Sequence, residues 1–197
     1  DYHLHGKTYA MKNHGLIRYR TLKGEQKENS IVFTFEDNED TLKQYPFHFH
    51  YEIEYTIENK VCHINYRIKN TSNEDMPFTF GLHPAFIVPQ SIDEKFEDYS
   101  IDFECEEKAK QLLFDPEFKK KITYQDVSLS SWKLSREDVD HYKTIIYKNL
   151  KSDHVTLSYK NQPRIRMSIK GFPYLALWTI EKPSDFICIE PWFGHAD

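Results

Sequence analysis

Glycine is scarce in this 197-residue chain, at six residues, and cysteine and methionine number three each. So little glycine excludes collagen-like and glycine-rich low-complexity architectures. Cys62, Cys105 and Cys188 are an odd set without framework spacing. That excludes a disulfide-stapled scaffold and leads us to expect free thiols in a reducing compartment, the cytoplasm. Mean hydropathy is −0.71, and no run approaches the roughly 18 apolar residues of a membrane-spanning helix. No secretory pattern opens the chain. A basic excess is also missing: Lys and Arg total 26 against 31 Asp and Glu, a net charge of −5. Neither nucleic acid nor a membrane surface is therefore an expected partner.

Aromatic residues are abundant instead, with 14 Phe, 13 Tyr and 3 Trp. The dominant period is two. Phe47, Phe49, Tyr51, Ile53, Tyr55 and Ile57 alternate with His48, His50, Glu52, Glu54 and Thr56, the signature of a half-buried strand. Glu58-Asn59-Lys60 reads as a turn. Cys62, Ile64, Tyr66 and Ile68 then continue the alternation, which makes an antiparallel hairpin. Pro77 to Phe86 is extended and apolar, with Pro84 interrupting its hydrogen bonding. Further strands are expected at Ile31–Phe35, Ser100–Cys105, Gln111–Phe114, Tyr142–Tyr147, Val155–Tyr159 and Arg164–Ile169. Tyr174–Thr179 and Phe186–Ile189 are apolar on both faces, as for strands inside a sandwich. Only Ser135–Asp140 looks helical, with Ser135 as its cap. The expectation is an all-β antiparallel sandwich with few short helices, residues 1–197 forming one domain.

Polar residues in unusual settings carry the functional signal. His48, His50 and Glu54 present an HxH-and-Glu pattern like the first metal motif of cupins, since alternate strand residues point one way. The chain lacks the second cupin motif, and a solvated strand face accounts for the same residues. His83 stands in the apolar segment Gly81-Leu82-His83-Pro84-Ala85-Phe86. It is open to two readings, a core histidine bonded to backbone or a general acid or base. Glu190 ends the apolar run Ile187-Cys188-Ile189 and precedes Pro191-Trp192. A carboxylate there is either paired at a rim or set in a pocket that raises its pKa toward useful base strength. His14-Gly15-Leu16-Ile17-Arg18 reads as a loop that brings an imidazole and a cation together.

Taken in order, several segments resemble the aldose 1-epimerase (galactose mutarotase) family, closest to its LacX-like and hexose-6-phosphate mutarotase branches. The carriers are Gly6-Lys7-Thr8-Tyr9 followed by His14-Gly15-Leu16-Ile17-Arg18, and Tyr45-Pro46-Phe47 with the strand to Tyr55. After these come Asn70 with Met76-Pro77-Phe78, then Gly81 to Phe86 and Tyr174 to Thr179. Cys188-Ile189-Glu190-Pro191-Trp192-Phe193-Gly194 with Asp197 is last.

The resemblance implies a large twisted β-sandwich with a sugar cleft. It places the catalytic histidine on His83 and the catalytic glutamate on Glu190. His14 and Arg18 fall on residues that hold sugar hydroxyls or phosphate. The implied reaction interconverts α and β anomers of an aldohexose or hexose 6-phosphate. An acid and a base on opposite sides open and reclose the ring, with no metal, nucleotide or redox cofactor. Trp178 and Trp192 are candidates for stacking on the sugar ring, and simple core packing is the other reading. Family members extend further at both ends, so the chain is expected to lack terminal parts of the full domain. Galactose-type members place an acidic sugar ligand where this chain reads Asp138 to Thr144. Lys143 falls near that position, with Asp140 close by. The alternative function is a non-catalytic carbohydrate-binding or sensor module on the same fold, or a cupin-like metalloprotein.

Overall fold

Three tight turns show how local sequence sets the strand pairing. His5-Gly6, Asn59-Lys60 and Lys160-Asn161 all have positive φ at both residues. This backbone matches the twist of the strands that two-residue hairpins join. The computed structural model describes residues 1–113, 122–180 and 185–195. Phe114, the end of one expected strand, and Asp197 lie outside these residues. The chain divides into two compact units, residues 1–78 and 79–197.

The first unit opens with a hairpin of β1 (Tyr2–Leu4) and β2 (Lys7–Tyr9), followed by a 3-10 turn at Ile17–Tyr19. A four-stranded antiparallel sheet follows in the order β3 (Lys23–Gln26), β4 (Ser30–Glu36), β5 (Phe49–Glu58), β6 (Val61–Asn70). A one-turn helix, α1 (Glu39–Leu42), joins β4 to β5. Asn38 and Thr41 close it with a reciprocal capping box. Phe49, Tyr51 and Ile53 form the buried face of β5 that their alternation predicts, and Leu16, Ile17 and Leu22 pack on it. The opposite face is polar and paired: His48 Nδ1 lies 2.7 Å from Asp37, His50 Nδ1 2.5 Å from Glu36, and Arg67 bonds Glu52 and Glu54.

The second unit holds an eight-stranded antiparallel sheet. Its strands are β7 (Ala85–Ile87), β8 (Tyr99–Leu113), β9 (Thr123–Lys133), β10 (Ile145–Lys148), β11 (His154–Tyr159), β12 (Gln162–Ser168), β13 (Tyr174–Trp178) and β14 (Phe186–Trp192). Their order is β12-β11-β8-β10-β13-β14-β7, and β9 also pairs with β8. Helix α2 (Arg136–Tyr142) starts at Ser135, whose hydroxyl accepts from the Asp138 amide, as the sequence predicts. Leu175, Leu177, Ile187 and Ile189 join one buried cluster. Ala176 joins a second with Leu112 and Ile146. Both faces of the central strands are therefore covered, in agreement with their apolar sequences.

Several expectations change, among them the helix α1, since only Ser135–Asp140 read as helical. The separate strands expected at Ser100–Cys105 and Gln111–Phe114 are, over the described residues, one 15-residue strand, β8 (Tyr99–Leu113). The mostly polar residues between them, from Glu107 to Lys110, pair regularly with β9, and the register shifts just before them, between Asp102 and Glu107. Tyr142 belongs to α2 rather than to the strand after it. The Lys143 amide donates to the Val139 carbonyl at 2.8 Å and ends the helix, so β10 begins at Ile145. Strand β9 has no counterpart in the sequence reading. Only Val127, Leu129 and Trp132 give its serine-rich sequence an inner face, and the edge position relieves it of a second one.

Candidate active site

The segment from Phe80 to Ile87 runs beside β14. The Phe193 amide donates to the Phe80 carbonyl (2.8 Å), the Leu82 amide to Pro191 (3.0 Å) and the Ile189 amide to Pro84 (3.2 Å). Pro84 has no N–H, so regular pairing begins only after it, in β7. Gly81 bridges Trp192 and Ala85 pairs with Cys188, so His83 stands opposite Glu190. Glycine at position 81 has a steric reason: a Cβ there would lie 2.8 Å from the Trp192 ring. The close strand approach that puts His83 beside Glu190 therefore depends on Gly81.

His83 Nδ1 lies 3.4 Å from Glu190 Oε1. The Glu190 side chain is 3% exposed and that of His83 39%. Burial pushes the Glu190 carboxyl up to about 8, and a hydrogen bond from the Trp192 side chain only partly offsets this. Apolar surroundings disfavour the charged form far more than one donor restores it. Burial also pushes the Cys188 thiol up to about 12, with the neighbouring Glu190 charge adding to the effect. The two side chains stand side by side on the sheet.

Registry extends the face outward. Glu190 pairs with Ala176, Cys188 with Trp178 and Trp192 with Tyr174. Directly opposed residues share a face, so His83, Glu190, Cys188, Trp178, Trp192 and Tyr174 belong to one surface of the sheet. The Trp178 ring stands edge-on to the His83 ring, centroids 5.6 Å apart at 89°. Trp192 Nε1–H donates to the Leu82 carbonyl at 3.3 Å, which fixes that ring. Trp178 also lines an open cleft of about 430 Å³ with Val139, Lys143, Thr179 and Ile180. Lys143 has φ 61°, which gives this cleft a cation held in an uncommon backbone conformation.

In the first unit, His14 and Arg18 sit on a loop pinned by Leu16 and Ile17 against the Phe49–Ile53 face. His14 has φ 66° and precedes Gly15 at 69°. Partial burial, and then the nearby Arg18 guanidinium, hold the His14 imidazole below its ordinary value. The two residues are thus close enough to act on one another. Arg18 and Lys12 also lie over the Tyr19 ring at 5.8 and 5.0 Å.

His48, His50 and Glu54 do not converge as ligands. Among the described residues, the single trio of possible metal donors within 4.8 Å of one another is His83, Cys188 and Glu190. Sequence reasoning assigned no role to Cys188. Its place two residues before Glu190, on the same strand face, was the available signal.

Comparison with known proteins shows the family. The family profile described as aldose 1-epimerase matches residues 1–197. Protein LacX (chromosomal) of Lactococcus lactis subsp. lactis is 32% identical over 194 residues, 95% of this chain and 64% of that protein. A galactose mutarotase-like protein from Lactobacillus casei ATCC 334 superposes with a TM-score of 0.87 at 28% identity, over 100% of this chain and 69% of that one. A galactose mutarotase related enzyme from Lactobacillus acidophilus gives 0.85 at 28%, over 98% and 66%. The chain thus spans a little under two thirds of the length of its LacX relatives. Its antiparallel sheets are those of the galactose mutarotase-like fold, and the chain belongs to the aldose 1-epimerase family, in its LacX-like branch.

Proposed function

We propose that this protein is an isomerase, an aldose 1-epimerase that interconverts the α and β anomers of an aldohexose or hexose 6-phosphate. The observation that carries the reading is the imidazole–carboxyl pair of His83 and Glu190, 3.4 Å apart, with the carboxyl raised to about 8. Glu190, ionised, takes the proton of the C1 hydroxyl. His83 gives a proton to the ring oxygen as the bond from C1 to that oxygen breaks. The open-chain aldehyde turns about its C1–C2 bond. Closure reverses both transfers and leaves the opposite anomer. A carboxyl raised toward neutral pH is a stronger base than an ordinary one, and with a pKa near the operating pH it can both take and give back the proton.

Trp178 and Trp192 offer apolar ring faces for the sugar. His14 and Arg18 are proposed as substrate-binding groups, an imidazole and a guanidinium on one short loop. Arg18 and Arg20, with Lys12 and Lys23, suit an anionic sugar. We take residues 1–197 as part of a single galactose mutarotase-like domain. A small-molecule sugar in the cytoplasm, with no metal, nucleotide or redox cofactor, completes the proposal.

The test is anomer exchange by NMR with freshly dissolved α-D-glucose, α-D-galactose and glucose 6-phosphate. Acceleration that disappears in both His83→Ala and Glu190→Gln supports the mechanism, and the preferred sugar defines the substrate. Folded protein that accelerates none of these sugars overturns it. Saturable sugar binding without acceleration would indicate a carbohydrate-binding or sensor module.

A further inference from the structure

Cys188 has no part in the proton transfers, yet it sits within 4.8 Å of both groups that do. We propose that His83, Cys188 and Glu190 form an inhibitory binding site for a thiophilic divalent cation, Zn²⁺ by its chemistry. The inhibitory part of this inference rests on the proposed mutarotase reading; the binding does not.

Three features support the site. The donor set is one imidazole nitrogen, one thiol sulfur and one carboxyl oxygen. Zinc takes these donors at about 2.0–2.3 Å in a tetrahedron, often with three protein ligands and one open position. The geometry also fits. Zinc–ligand bonds of that length place a nitrogen and an oxygen about 3.3 Å apart, and His83 Nδ1 is 3.4 Å from Glu190 Oε1. All three donors lie within 4.8 Å, so small side-chain rotations close the set. Charge is the third feature. Cys188 and Glu190 are almost fully buried. A thiolate and a carboxylate with neutral imidazole cancel the two charges of the ion, so the filled site carries no net charge in apolar surroundings. On binding, the thiol and the carboxyl release their protons to solvent, and the ion stabilises the thiolate directly. The exposed edge of His83 leaves a way in.

Occupancy withdraws from catalysis the imidazole nitrogen and the carboxylate that move protons. Cys188 is the residue that turns an acid–base pair into a three-donor site.

The experiment uses the full chain and Zn²⁺ itself, titrated in competition with a chromophoric zinc chelator. Co²⁺ serves as a second probe through its thiolate charge-transfer absorption. Native protein is expected to bind one equivalent, with Cys188→Ala weakening affinity by about 100-fold or more, since a direct ligand is lost. His83→Gln should weaken it similarly, while His48→Ala leaves it unchanged. Zinc should suppress native anomer exchange, with recovery on chelation, and Cys188→Ala should not respond to zinc. Native protein that binds no zinc overturns the proposal. So does a Cys188→Ala variant, folded by circular dichroism, that binds as tightly as native. Should Cys188→Ala not fold, unchanged zinc affinity in His83→Gln is equally decisive. Cys188-dependent zinc binding without mutarotation would remove the functional reading and keep the site. Mutarotation without Cys188-dependent zinc binding would do the reverse.

Discussion

Two glutamates lie buried in the same sheet, and they differ in what surrounds them. Glu107, where β8 resumes its pairing with β9, is fully enclosed. Its carboxylate accepts from the Lys151 amide (2.8 Å), the Ser152 amide (2.8 Å) and the Ser152 hydroxyl (2.6 Å). It therefore ties the connection between β10 and β11 to β8. Glu190 is as deeply placed, but it faces Ala176 and His83 across the strands and stands beside Cys188 on its own strand, with Trp192 as its side-chain donor. Its carboxyl is pushed up to about 8. Burial by itself does not make a carboxylate functional. A carboxylate met by three donors is an anchor, whereas one placed among apolar groups and an imidazole is ready to exchange a proton.

Substitutions should separate the two roles. The largest effect is expected at the site: His83→Ala and Glu190→Gln each lower anomer-exchange rates by about 10²–10⁴, the range for removing a general acid or base. Thermal unfolding of His83→Ala should change little near pH 7 by comparison. Glu107→Ala should act the other way. It leaves the Lys151 and Ser152 amides without their acceptor, at about 1–3 kcal/mol per buried group. Denaturant unfolding should show a loss of about 3 kcal/mol or more.

A smaller effect concerns pH. The folded-state pKa of Glu190 is raised, so folding favours its protonated form. The stability this contributes is complete below the ordinary glutamate value of 4.5 and is lost as pH rises through about 8. Glu190→Gln should gain on native protein by on the order of 2–4 kcal/mol between pH 5 and pH 9, followed by thermal melts in chelator-treated buffer. In the same buffer, kcat/KM should rise with pH toward an inflection near 8 as the base form appears. The smallest effect is Gly81→Ala. Its methyl meets the Trp192 ring at 2.8 Å, and overpacking of this kind costs about 1–3 kcal/mol. Because that contact sets the distance between His83 and Glu190, activity should fall further than stability suggests.

Much of this protein could be read without coordinates. Alternation in Phe47–Ile57 gave the buried face of β5, Ser135 marked the start of α2, and doubly apolar runs located the two central strands. The polar stretch Glu106-Glu107-Lys108 was left out of both expected strands, which split β8 in two. Only the partners of Glu107, some 45 residues away, explain why a carboxylate belongs inside a strand there. Strand β9 escaped notice because an edge strand needs few apolar residues.

At the site, the sequence alone determined which side chains were out of place: a histidine before a proline in an apolar segment, and a glutamate at the end of an apolar strand. Those are local conflicts between residue type and environment, and they are visible along one strand. Tertiary structure decided that His83 and Glu190 meet at 3.4 Å, that they stand side by side, and that Cys188 joins them. Cross-strand register made those choices. It is set by hydrogen bonds between segments about a hundred residues apart and by the absence of a side chain at Gly81, and no periodicity within either segment encodes it.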